Sequence, residues 1–395
     1  MSNAKEDKFL CPLPWVSLCI HTDGKQKVCC HTDVPHHIAH TEEKPAQFLD
    51  QEAMDDPLNN SGLVEIRNLM LSGKIPKECL KCHDLEQKGS NSPRLDALEH
   101  YKEKFERNLE NTEASGLLKK DYNLSFLDLS LGNKCNLACH SCHPYYSSGV
   151  ERNWRGGPFK VDPQKFKDIV DFTKQEKAWP NFKFDFDKIF FQGGEPLLEK
   201  DHVQFLKDLI ADKKASEIDL IYNTNLTVFN EKITELWAQF KSIKLDISLD
   251  GVERDQEVIR TPLIWSKFLK NLETYKSLSN IEIEFVSVVQ VLNIFKFDKI
   301  VQFSIAHSSS GNAPSLNFLE NPKYLAVESM SEADKAHALS FYENLISLGA
   351  SKPKELQAYK EIHNYLNNSQ ANQADTFDLY LFLKKLQKDQ DWSWR

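Results

Sequence analysis

Gly132-Asn133-Lys134-Cys135-Asn136-Leu137-Ala138-Cys139-His140-Ser141-Cys142 follows directly on the apolar run at 124–131 and sets three thiols in one loop at the spacing C-x3-C-x2-C. Three is the informative number. Iron–sulfur clusters are held by Cys thiolates, one per iron in a 4Fe-4S cubane, so three thiolates leave one iron open to a further ligand. A structural zinc site wants four closed ligands. His140 or His143 could supply the fourth, so zinc stands as the competing reading of this loop.

Outward from that loop, short runs rich in Ile, Phe, Val and Leu alternate with longer amphipathic stretches, the pattern of parallel strands joined by crossover helices. Strands are expected at 124–131, 188–192, 218–223, 243–249, 281–289 and 315–319. Helices are expected at 166–177, 201–213, 231–241, 264–278, 297–303 and 332–348, and a polar helical extension beyond 350. This pattern predicts an α/β barrel or partial barrel. The second strand ends in Gln192-Gly193-Gly194-Glu195-Pro196, where two glycines let backbone approach a ligand and a carboxylate can accept hydrogen bonds from an ammonium group. In such folds the loops at the carboxyl ends of the strands face one site. Thr224, Asn225, Ser248, Asp250, Gly251, Gln290 and Asn293 occupy the corresponding places after later strands.

The C-x3-C-x2-C loop after a first strand, with Gly-Gly-Glu-Pro after a second, resembles the radical S-adenosylmethionine (SAM) superfamily over about residues 122–322. That resemblance implies a partial (β/α)6 barrel carrying a 4Fe-4S cluster on Cys135, Cys139 and Cys142, whose open iron chelates the amino and carboxylate groups of SAM. It further implies that Gly193, Gly194 and Glu195 hold the amino end of SAM, with Ser248 as a carboxylate or ribose contact, Asn293 as a ribose contact and Arg260 as a carboxylate partner. A one-electron donor such as flavodoxin or ferredoxin is implied as a partner. The residue before the third cysteine, usually aromatic or apolar in this superfamily, is Ser141 here. Adenine contacts are therefore sought at Tyr145, Tyr146 or the backbone near Phe318, although a Tyr pair is often plain packing.

Nine cysteines lie in clusters in the first 142 residues and none follows. Clusters in a long chain point to metal or redox chemistry rather than to a disulfide framework. Upstream of the barrel, at 1–95, Cys11 stands in Cys-Pro-Leu-Pro-Trp, Cys29 and Cys30 follow the Asp23-Gly24 turn, and Cys79-x2-Cys82 comes later. Four thiolates with no open position suit either a closed zinc site or a fully Cys-ligated cluster. The order Cys, turn, Cys, then C-x2-C resembles the SPASM/twitch type of auxiliary-cluster module, here placed before the barrel rather than after it. The resemblance favours a second Fe–S cluster on Cys11, Cys29 or Cys30, Cys79 and Cys82, with Cys29 preferred. Cys19 is expected to be a buried structural thiol, and His31, His36, His37 and His40 to belong to a solvated loop. The stretch 99–120 reads as a charged helix and solvated linker between the module and the barrel.

A net charge of -9 with scattered Lys and Arg gives no footprint for a phosphate backbone, so nucleic acid is not an expected partner. No run approaches ~18 apolar residues, and the N-terminus lacks a basic stretch leading into an apolar one. The chain is therefore read as cytoplasmic, with no membrane partner. Three functions compete: a radical SAM maturase acting on a peptide or protein side chain, a radical SAM dehydrogenase of a small molecule such as an aminocyclitol or sugar, and a non-catalytic Fe–S or zinc scaffold.

Overall fold

The computed structural model describes residues 9–22, 24–32, 54–119, 122, 124–156, 186–348, 352–370 and 373–394, so the helix expected at 166–177 lies outside the described residues. The strands are β1 (Ser17–Ile20), β2 (Gln26–Lys27), β3 (Phe126–Ser130), β4 (Lys188–Gln192), β5 (Asp219–Thr224), β6 (Ser242–Ser248), β7 (Ile281–Val289) and β8 (Ser315–Phe318). They form one open eight-stranded sheet in the order β2-β1-β3-β4-β5-β6-β7-β8. Pairing is parallel from β1 to β8, and antiparallel only between β1 and β2. Helices Asp201–Ala211, Glu231–Trp237, Trp265–Lys276 and Phe297–His307 make the crossovers that parallel neighbours require. The result is an α/β fold around an open, mixed sheet.

The period-two alternation separates two faces. Ile189, Phe191, Leu220, Tyr222, Ile243, Leu245 and Ile247 are fully buried, and the register matches them apolar to apolar across neighbouring strands. Gln192, Asn223, Lys244, Asp246, Ser248 and Glu284 share the opposite face and stay half-buried. One face therefore packs under the crossover helices, and the other mixes these polar groups with Phe190, Ile221, Val286 and Val288.

The six expected strands are present, but the sheet is wider. β1 and β2 come from the upstream cysteine-rich segment, folded as a hairpin in which His21 N donates to Lys25 O (3.0 Å) and Gly24 takes φ +72°. β1 then pairs parallel with β3, Cys19 opposite Asp128. A four-residue strand with Ser and Cys in it shows no readable alternation, which is why periodicity missed it.

The stretch read as a solvated linker is also packed. Helix Lys102–Glu110 buries Phe105 edge-on against Trp15 (5.3 Å), and Asn108 Nδ2 donates to Trp15 O (2.7 Å). Its many charges lie on the outer face and mask this stripe. Beyond β8, helices Glu332–Leu348, Pro353–Asn368 and Gln373–Gln390 form the expected helical extension. No described helix is long and apolar enough to cross a membrane.

Candidate functional site

The cysteine loop lies between two supports. On one side is the turn after β4, where Gly194 N donates to Gly132 O (3.0 Å) and Glu195 N to Lys134 O (2.8 Å). A Cβ on Gly193 (φ +115°) would come within 2.4 Å of Gly132 O, and one on Gly194 within 2.3 Å of Lys134 O. Both positions thus require glycine because the turn approaches the loop's own backbone. On the other side, Ala138 N donates to Thr261 O (2.6 Å) and His140 N to Ile259 O (3.0 Å). Asn225 Nδ2 points at Cys135 Sγ (3.8 Å) and donates to Asn136 Oδ1 (3.2 Å).

Burial is the largest influence on all three thiols. It raises Cys135 and pushes Cys139 up to about 12. Cys142 is raised further, because Cys139 and Cys135 both repel its thiolate. Against these stands Arg260, whose guanidinium favours the thiolates of Cys139 and Cys142. It is held by Asp250, to which its Nε and Nη2 each donate at 2.8 Å. Asp250 is fully buried and also accepts from Val288 N (2.8 Å).

The remaining sequence candidates divide. Arg260 stands beside the thiols, and Ser248 faces the polar side of the sheet, donating to Asn223 Oδ1 (3.1 Å). Glu195 points inward: its carboxylate is fully buried and accepts from Thr224 Oγ1 (2.9 Å), Asn225 N (2.8 Å) and Leu197 N (3.3 Å). Burial raises its pKa to about 7 despite those hydrogen bonds. It ties the turn after β4 to the end of β5. Asn293 is likewise buried, its Nδ2 donating to Asp250 O (3.1 Å) and Val288 O (2.9 Å) and its Oδ1 accepting from Gln290 N (3.0 Å). Of the adenine candidates, Tyr145 stacks on His21 (4.8 Å) and Phe318 on Tyr365 (3.7 Å).

Upstream, Cys11, Cys29, Cys79 and Cys82 line one cavity together with Phe9, His31, Lys81 and Arg94. Burial raises each thiol most, to about 11 at Cys82, and repulsion from neighbouring thiols adds to it at Cys11, Cys79 and Cys82. Cys30 belongs elsewhere: with Cys19 it faces Asp128, and Cys19 Sγ donates to Asp128 Oδ2 at 3.4 Å. His31, expected in a solvated loop, is on the cavity wall, where burial depresses its pKa to about 3. His36, His37 and His40 lie outside the described residues.

Among the described residues, no three His, Cys, Asp or Glu side chains converge on one point as ligands of a single metal ion. A cubane asks for something different, since each thiolate binds its own iron and the ligands stand apart around the cluster. Both cysteine groups have suitable donor chemistry: soft, buried or half-buried, mutually repelling thiols outside any disulfide. Metal binding deprotonates such ligands and relieves that repulsion.

Sequence reading missed Asp128, the carboxylate between Cys19 and Cys30, which also accepts a hydrogen bond from Gln192 Nε2. An acidic residue inside Phe-Leu-Asp-Leu-Ser was the available signal.

Residues 129–296 match the profile of the Radical SAM superfamily. Among curated proteins, the chain is 26% identical over 191 residues to GTP 3',8-cyclase of Campylobacter jejuni subsp. doylei, covering 45% of this chain and 53% of that protein. It is 30% identical over 135 residues to GTP 3',8-cyclase of Geobacter sulfurreducens, covering 33% and 36%. The chain thus spans about half or less of the length of these relatives. Among solved structures, SuiB of Streptococcus suis aligns with a TM-score of 0.37 at 16% identity, over 69% of this chain and 57% of SuiB. The conclusion of this profile match is that the chain carries a radical SAM superfamily domain at residues 129–296.

Proposed function

We propose that this chain is a radical SAM enzyme acting on a peptide or protein side chain, with Cys135, Cys139 and Cys142 holding the SAM-binding 4Fe-4S cluster. The observation that carries the reading is the confinement of three mutually repelling thiols to one loop, buttressed by the Gly193-Gly194 turn and faced by Arg260. When bound, the cluster supplies the electron that cleaves SAM into methionine and a 5'-deoxyadenosyl radical, which takes a hydrogen atom from the substrate.

The chain's own groups orient the reactants. Arg260, a buried cation beside Cys139 and Cys142, is suited to the SAM carboxylate, and Ser248 to a polar contact on the inner face of the sheet. Glu195 acts by bracing: fully buried and hydrogen-bonded to Thr224 and Asn225, it holds the turn whose backbone meets the amino end of SAM. Cys11, Cys29, Cys79 and Cys82 would hold a second Fe–S cluster, which would supply an acceptor for the electron left on the substrate and so make the net reaction an oxidation or cross-link. Cys29 is chosen over Cys30 because Cys29 lines the shared cavity while Cys30 turns to Asp128. The division into a 1–95 auxiliary module, a 96–121 connection, a 122–322 barrel and a 323–395 extension belongs to this reading.

The test is reconstitution without oxygen, with about seven to eight irons expected per chain for two cubanes. Cys139→Ala should drop the count to about four and abolish 5'-deoxyadenosine formation under strong reductant. Cleavage at the wild-type rate would overturn the assignment. Saturation near four irons in the wild type, with zinc in the upstream thiols, would overturn the second cluster alone.

A further inference from the structure

The C-terminal tail makes polar contacts with one short helix, Arg254–Ile259, which follows β6. Trp392 Nε1 donates to Asp255 Oδ1 (2.6 Å), and Lys296 Nζ donates both to that oxygen (2.7 Å) and to Ser393 O (2.6 Å). Lys296 also lies over the Trp392 ring, 4.4 Å from its centroid, and Arg254 Nη2 donates to Gln390 O (3.4 Å). These groups are well shielded: Trp392 is 6% exposed, and the side chains of Lys296 and Asp255 are 17% and 15% exposed.

The same helix serves the cysteine loop from its other end. Ile259 O and, just beyond, Thr261 O accept the amides of His140 and Ala138, and between them Arg260 reaches Asp250 and the thiols. Helix Gln373–Gln390 touches the loop a second time, through Phe382 edge-on to His140 (5.2 Å). A charged hydrogen-bonded junction at one end of a six-residue helix thus fixes the end that carries the loop's supports.

Resting on the proposed cluster site, we infer that Lys296 and Trp392 are positioning residues for the cysteine loop, acting through Asp255 and helix Arg254–Ile259. They fasten the last residues of the chain across the barrel so that Ile259, Arg260 and Thr261 are held in place behind Cys139. The C-terminal tail is in this way part of the support of the radical site, more than 200 residues away in sequence from the loop it steadies (Cys142 to Trp392).

The experiment uses the full chain, reconstituted without oxygen, as wild type, Lys296→Met, Lys296→Arg, Trp392→Phe and Cys139→Ala. Two readouts are followed: amide hydrogen exchange over 136–144, and the rate at which the iron that Cys139→Ala lacks is lost to bathophenanthroline disulfonate. Supports of metal ligands commonly change metal affinity about 10- to 100-fold. Lys296→Met should therefore lose this iron about tenfold faster, with reduced exchange protection at Ala138 and His140, and Lys296→Arg should restore most of both. Trp392→Phe keeps an aromatic ring, though a smaller one, and deletes the N–H donor to Asp255, so it decides the matter if Lys296→Met fails to fold. Wild-type iron retention and protection in Lys296→Met and Trp392→Phe would overturn the inference while leaving the cluster site standing. If wild type and Cys139→Ala hold the same iron, the proposed function falls, and this inference falls with it.

Discussion

A methyl group on Gly194 would meet the Lys134 carbonyl at 2.3 Å for oxygen and 2.6 Å for carbon, both backbone atoms that no rotamer change can move. Overpacking of this kind typically costs about 1–3 kcal/mol. Gly194→Ala is therefore expected to lower the unfolding free energy from denaturant titration by that amount and to release iron from the cysteine loop, measured on the same preparation. Asp128 offers a second test. Burial raises its carboxyl from 3.8 to about 6, partly offset by the hydrogen bonds from Gln192, Cys19 and Cys30. The folded chain then holds a proton that the unfolded chain has released between pH 4 and 6, so this group's contribution to stability falls as pH rises through that window and stays low above it. The two units or so of shift correspond to at most about 3 kcal/mol. Asp128→Asn should flatten the loss, making the reduced variant more stable than wild type at pH 8 but not at pH 4. Equal pH profiles from urea titrations would show that the charge is compensated.

At the scale of elements, the cavity of Cys11, Cys29, Cys79 and Cys82 is assembled from the segment before β1, the hairpin's exit and the turn and helix at Lys77–Gln87, whereas Cys135, Cys139 and Cys142 share one loop. On the proposed function, radical generation and electron removal are therefore expected to be separable. Cys79→Ala with Cys82→Ala should leave 5'-deoxyadenosine formation measurable and eliminate oxidised product, with circular dichroism to check the fold. Normal turnover of the true substrate by a folded double variant would make the upstream cysteines structural. The sequence exposed β3 to β8, whose apolar runs stand out between turn signals, and the crossover helices, while the Ser- and Cys-containing β1 and the two-residue β2 gave no such signal. Gly193-Gly194 was visible as a motif, but its reason was not, because the demand for glycine comes from Gly132 and Lys134, about 60 residues away. Glu195 and Asn293 were legible as polar rim residues. Which way their side chains turn depends on Thr224, Asn225 and Asp250, donors and acceptors that no spacing rule pairs with them.

Across the whole molecule, the upstream cysteines and the strands from β3 to β8 share one sheet, since β1 pairs parallel with β3 through Ser17 to Ile20. This pairing has a consequence during synthesis. β1 leaves the ribosome with its antiparallel partner β2 close behind but has to wait for Phe126–Ser130 before its other edge is covered. At about 5–20 residues per second, the nascent chain spends several seconds with its first thiols unsheltered. Oxidation and premature capture of metal are hazards of that interval, and a fragment ending at residue 95 prolongs it without limit. Such a fragment, expressed alone, should show no cooperative thermal transition and react with a thiol reagent at all six of its cysteines, whereas in the reduced full chain Cys19, 1% exposed beside Asp128, reacts slowly.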